Sequence, residues 1–232
     1  MTTGKQVKTR VVLLAALLAA LPAFAQQPSA QDILREARLN QSGQHRVLRG
    51  RLRHGSDTLP FSLVMEGNEI RYEFSNPDQT LRLRLGEKGS RLEEITRKGA
   101  ERVTAARFDQ MVRNTDISYE DLTLHFLYWP DGEVLGRDSQ LLRPCWKLRV
   151  RPPSKKDSQY SVIDLWIEEH GGVLLQADAY DGNGKLVKRF KVISAQKLEG
   201  VWLLKQMRIE TMDAGKSRDK TPTYLEIQGV EQ

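Results

Sequence analysis

The chain has 232 residues, 39% apolar and 28% charged, with 36 Lys and Arg against 30 Asp and Glu. That length suits one domain with its own apolar core, or at most two small ones. The single cysteine, Cys145, excludes an internal disulfide, so apolar packing must carry the fold.

Lys5, Lys8 and Arg10 precede an unbroken apolar run from Val11 to Leu21, which Pro22 ends, and Ala23-Phe24-Ala25 puts small residues before Gln26. This layout predicts a cleavable export signal over residues 1–25 and one soluble domain over 26–232. The run is shorter than the ~20 residues that span a bilayer. Arg10 has no arginine neighbour for a twin-arginine route, and no cysteine follows the cleavage point to take a lipid. Removing 25 residues leaves 207 and takes three cations with them, so the balance falls from +6 to 33 cations against 30 carboxylates. A nucleic-acid partner, argued from charge, is therefore not expected.

Residues 31–39, QDILREARL, put Ile33, Leu34 and Ala37 on one helical face. Alternation follows. Leu59, Phe61, Leu63 and Met65 share one parity, as do Ile70, Tyr72 and Phe74 after a turn at Gly67-Asn68. Leu81, Leu83 and Leu85 alternate with Arg82 and Arg84. Arg46, Arg49, Arg51, Arg53, Arg71, Arg82 and Arg84 collect in these hairpins. Parity puts most of them on the wet face, balanced by Glu66, Glu69 and Glu73; the sharper reading is a docking surface for an acidic partner or anionic headgroups. Residues 105–113 predict a second short helix, with Phe108, Met111 and Val112 along one stripe.

In the second half, LTLHFLYW predicts a strand holding His125, and PCWKLRV a strand in which Cys145 is half-buried. Residues 151–157, RPPSKKD, read as an exposed loop between hairpin strands. Ile163, Leu165 and Ile167 alternate with Asp164, Trp166 and Glu168. Runs around Phe190, Met207 and Leu225 complete the series, with glycine turns between them. The sum is a mainly β, α+β chain of about 10–11 antiparallel strands. A one-sided sheet of that size has an apolar face too large for two short helices to cover if it is flat. Curling into an incomplete β-barrel, with the helices over the concave face, solves this, and so does a sandwich.

No chemistry is spelled out. The four histidines have no metal-ligand spacing, no nucleophile elbow occurs, and Asp181-Gly182-Asn183-Gly184 reads as a hairpin turn rather than a calcium loop. No metal, no cofactor and no enzyme activity are expected. A carboxylate pair of hydrolase type is the remaining enzymatic alternative. The aromatic and methionine positions on the apolar parity are the candidate lining of a cavity: Phe61, Leu63, Met65, Phe74, Leu83, Phe108, Met111, Phe126, Trp146, Leu165, Phe190 and Met207. Periodicity alone does not separate such a cavity from a filled core.

Residues 114–122, NTDISYEDL, resemble the GTDFSYEDL signature of LolA-like, outer-membrane lipoprotein-sorting proteins, with Asn114 in place of Gly and Ile117 in place of Phe. The run from Ser161 to Leu186 resembles the same family's hairpin of strands, and Val201-Trp202 through Met207 with Thr223 resemble its last strands. The resemblance is detailed over roughly 107–230 and holds only in pattern over 31–106. It implies a periplasmic, monomeric half-barrel whose apolar cavity takes lipid or lipoprotein acyl chains between inner- and outer-membrane docking partners. The alternative it admits, second to the carrier, is a non-enzymatic envelope sensor or interaction module. The arginine that holds the lid in carrier members has no anchoring motif here. Ser118 and Asp121 have a plain structural reading: three residues apart, they can cap a helix start.

Overall fold

Alternating apolar and charged residues build strands that bury one face, and the computed structural model joins them into one sheet. It describes residues 27–42, 44–198, 201–213, 216–217 and 221–231. Helix α1 (Ala30–Gln41) starts at Ser29, whose hydroxyl accepts from the Asp32 amide. Six strands follow as a meander: β1 (Gln44–His54), β2 (Asp57–Gly67), β3 (Glu69–Phe74), β4 (Gln79–Leu85), β5 (Ser90–Thr96) and β6 (Gly99–Arg102). The connection 103–130 contains a 3-10 turn at Ala105–Arg107, helix α2 (Tyr119–Thr123) and a second 3-10 turn at His125–Tyr128. A second meander comprises β7 (Asp131–Gln140), β8 (Arg143–Arg151), β9 (Val162–Glu168), β10 (Leu174–Tyr180), β11 (Leu186–Leu198) and β12 (Val201–Asp213). Two strands remain, β13 (Lys216–Ser217) against β12, and β14 (Thr223–Val230).

The order is β6-β5-β4-β3-β2-β1-β14-β12-β11-β10-β9-β8-β7, and every neighbouring pair is antiparallel. The last long strand thus sits between the two meanders. The edges β6 and β7 are not paired with each other, so the sheet is an incomplete barrel. The 103–130 connection must run from one edge to the other, and it does so over the apolar face. Val103, Phe108, Val112, Ile117, Tyr119 and Leu122 enter a core with the first meander; Phe126, Leu127 and Trp129 enter a second core with the other. Ile33, Leu34 and Ala37 of α1 complete that second core.

The opposite face is a lattice of ion pairs. Arg71 reaches Glu66, Glu69 and Glu73 at 3.0–3.1 Å, and Arg82 reaches Glu93 at 2.6 Å. Arg149–Asp164 and Arg189–Asp178 are two-pronged, and Arg51 pairs with Glu226. The hairpin arginines are therefore largely partnered by carboxylates of neighbouring strands, as a solvated outer face requires. A small apolar cluster of Cys145, Trp166, Leu175 and Val192 stands apart from both cores; Cys145 and Trp166 share the parity of this face, and Val192 that of Phe190.

Four expectations need correction. The sheet has 14 strands, more than the 10–11 counted by alternation, because short or polar strands such as β6, β7 and β13 do not alternate visibly. The helix over 105–113 stops after one 3-10 turn; Arg113 takes φ 57°, and Met111 bridges Ser118 instead. The LTLHFLYW run is not a strand. It is α2 and a 3-10 turn, broken by Leu124 at φ 53°. Cys145 is fully buried, not half-buried, because Trp166 and Val192 close over it.

Candidate functional site: the covered apolar face

Three covers lie on the concave face, each with its own ties. The first is α1. Its Gln31 side chain donates to the carbonyls of Trp129 and Pro130 at 3.1 and 3.0 Å. Arg38 donates to the Leu127 carbonyl at 2.6 Å and sits 5.2 Å above the Tyr128 ring. The helix rests on two glycines. A Cβ at Gly132 would lie 3.1 Å from Ala30 Cβ, and one at Gly172 (φ 63°) would lie 2.8 Å from Glu36 Cγ. A side chain at Gly172 would displace the helix, and one at Gly132 would need it to give by a few tenths of an ångström.

The second cover is the 103–118 strap. Arg107 pairs with Glu94 at 2.8 Å and lies over the Tyr119 ring. Gln79 bonds both Tyr119 and Arg113 at 3.1 Å. Asp116 and Thr223 exchange bonds: the Asp116 amide donates to the Thr223 hydroxyl at 2.9 Å, and that hydroxyl donates to the Asp116 carboxylate at 3.0 Å. His54 lies 3.1 Å from the same hydroxyl. The group resembles an acid–base–nucleophile set, but Thr223 is fully buried and its hydroxyl already donates and accepts. It acts as a tie.

The third cover is α2, at the seam where the two cores meet. Ser118 and Asp121 form a complete capping box, as their spacing suggests. Asp121 does more than cap. Its carboxylate accepts from Lys188 Nζ at 2.6 Å and from the Tyr160 hydroxyl at 2.7 Å, with the Lys188 and Asp121 side chains 4% and 2% exposed. Buried charge of this kind is tolerated only when its bonds are filled. Burial and the neighbouring carboxylate push the Tyr160 hydroxyl well above its ordinary pKa. Burial likewise raises Glu120, which accepts from the Gln159 amide at 3.0 Å. His125 bonds the Ser90 carbonyl at 2.7 Å, and burial holds its pKa below the ordinary value.

The twelve candidate lining residues divide between these cores. Phe61, Phe74, Leu83 and Phe108 are buried in the first, with Leu63, Met65 and Met207 half-buried against it. Phe126 and Leu165 are buried in the second, with Trp146 half-buried against it. Phe190 touches both. Met111 is 44% exposed and outside either core, because the helix that would have turned it inward does not form. Phe61, Phe74, Leu52, Tyr72, Val112 and Leu122 line an apolar void of about 10 Å³, hardly the room of one water. Around this void, among the described residues, the face is covered and closely packed.

Lys188 and Tyr160 carry no sequence signal, since their partner Asp121 is 67 and 39 positions away. Among the described residues, no cluster of three or more His, Cys, Asp or Glu could hold a metal, and no helix is long and apolar enough to cross a membrane.

An open antiparallel half-barrel with its concave face covered by short helices is the LolA-like fold, and solved structures match it over most of their length. A putative outer-membrane lipoprotein-sorting protein domain from Vibrio parahaemolyticus has TM-score 0.68 and 15% identity over 87% of this chain and 91% of that one. A DUF1329 family protein from Desulfovibrio piger has 0.65 and 19%, over 88% and 93%. A LolA superfamily protein from Nitrosomonas europaea has 0.62 and 14%, over 88% and 94%. At these identities the likeness concerns the fold. No curated protein matches the chain. The family model described as "-like: Uncharacterized protein" matches residues 97–231, more than half of the chain, and the chain belongs to that family.

Proposed function

We propose that this chain is a periplasmic binder or carrier of acyl chains, from lipid or lipoprotein, that admits them onto the concave face when α1 withdraws. One observation carries the reading. Half of a wide apolar wall is covered by one helix and the short 126–129 segment it is tied to by few polar bonds, where a sandwich would use a second sheet. The sorting-protein domain and the LolA superfamily protein with the same fold support it.

The energies favour exchange. Lifting α1 uncovers Ile33 and Leu34, at about 1.5–3 kcal/mol each, and loses three side-chain hydrogen bonds at roughly 1 kcal/mol each. The cost is about 6–9 kcal/mol. An enclosed chain of roughly fifteen methylenes returns about 12 kcal/mol at ~0.8 each. A ligand of that length can therefore hold open a cover that stays shut without it. No covalent step is involved.

The test is a removable staple. A Cβ at Gly132 would lie 3.1 Å from Ala30 Cβ, a few tenths of an ångström short of the ~3.5–4.5 Å that a disulfide spans, so after a small outward shift of α1 Ala30→Cys with Gly132→Cys should oxidise to a bond pinning the helix. Binding of a fluorescent apolar probe is expected in the reduced protein and not in the oxidised one. Equal binding in both states would refute entry under α1. Native mass spectrometry of protein taken from the periplasm should show a lipid-sized adduct, and Phe190→Glu should remove it.

A further inference from the structure

We propose that the end of the sheet bearing the β7–β8, β9–β10 and β11–β12 turns is a docking surface for an anionic lipid bilayer. Strand direction alternates throughout, so the turns after β2, β4, β7, β9 and β11 all lie at this end. The short link from α1 to β1 brings the end of α1 there too. Eight large apolar side chains are exposed among the described residues, and six of them are here: Leu39, Leu141, Leu142, Val173, Ile193 and Trp202. The described turns at the other end, 55–56, 75–78, 97–98, 152–161 and 181–185, expose none.

Shape and chemistry select a bilayer over a protein groove. The apolar groups stand on separate projecting tips. Leu142 is 101% exposed and Trp202 is 63% exposed. Gln176 pairs with Lys191, so β11 beyond Val192 and its partner residues in β12 project past the β9–β10 turn. Isolated tips gain little from a flat protein partner but can each enter the headgroup layer, where Trp and Leu side chains are favoured. Cations accompany them. Lys197, opposite Trp202 in the hairpin, and Lys205 are both exposed. Near these three hairpins Glu168 is buried against Arg143, Glu169 pairs with Arg137 and Asp138 accepts from the Trp166 indole, whereas Glu66 and Glu87, in the first meander's turns at the same end, are exposed; the cationic, apolar part of the rim is therefore the second meander's side. Exposed lysines beside inserted apolar tips fit a negatively charged membrane surface. The rim is separate from the concave face: vesicle binding reads the one and probe binding the other.

The chain from Gln26 on, which holds every described element, should co-sediment with phosphatidylglycerol–phosphatidylethanolamine vesicles and much less with phosphatidylcholine vesicles. Leu142→Ser with Trp202→Ser should weaken this by about tenfold or more, the scale of one lost apolar side chain, with the melting temperature unchanged. Lys197→Gln with Lys205→Gln should weaken it and flatten its salt dependence. Absent binding to the anionic vesicles, or undiminished binding by the serine pair, would overturn the proposal. So would a dimer that the serine pair dissociates in a protein that ignores vesicles, since the rim would then join two copies.

Discussion

Replacing Lys188 by Met should loosen the seam, and the structure sets the size of the effect. The change removes the 2.6 Å partner of a carboxylate that is 2% exposed. Breaking a buried pair from one side costs about 3–5 kcal/mol. Asp121 keeps the Tyr160 hydroxyl and the Ser118 amide, so the low end, about 3 kcal/mol, is expected. At roughly 2–3 kcal/mol per molar urea for a chain of this size, the unfolding midpoint should fall by about 1 M. Adding Asp121→Asn should recover much of the loss, because the stranded charge is gone while an acceptor remains. A midpoint shift below about 0.3 M for Lys188→Met alone would mean that Asp121 is solvated, and the account of the seam would be wrong.

Other outcomes follow from individual groups. Burial holds the His125 pKa below its ordinary 6.5, so the folded state binds fewer protons than the unfolded one there. Stability should be full above that pH and decline as pH falls below it, a decline that His125→Gln should flatten in urea titrations between about pH 5 and 6.5. Gly172→Ala puts a Cβ 2.8 Å from Glu36 Cγ at a φ of 63°. It should unseat α1 at a cost of about 1–3 kcal/mol, with faster tryptic cleavage at Arg35 and Arg38; unchanged cleavage would count against the seat. Cys145 is fully buried, and burial raises its thiol pKa, so a thiol reagent should react slowly with native protein and promptly in urea.

Much of the sheet was legible because its chemistry is local. Leu81, Leu83 and Leu85 are buried as their alternation with Arg82 and Arg84 demands, and the capping box forms where Ser118 and Asp121 stand three apart. The failures have local causes as well. In LTLHFLYW a strand-like alternation lost to that capping box, which starts a helix, and to Leu124, which ends it in the left-handed region. Phe190 and Val192 share a parity yet enter different clusters, and the ladder bulges just beyond Val192. How far the concave face is filled depends on α1 and the strap arriving from distant sequence, which no period along a strand records.

The position of β14 has a consequence for how the chain reaches its native state. Each meander can assemble from neighbouring hairpins, but the two are joined only through the last strand, which sets Thr223 beside His54, 169 positions earlier. Closing so long a loop is slow compared with hairpin formation. Until it closes, β1 and β12 each present a bare row of amides and carbonyls, the kind of edge that recruits other chains. Loss of the eight residues of β14 should therefore yield two half-sheets prone to cross-chain pairing rather than a slightly smaller protein.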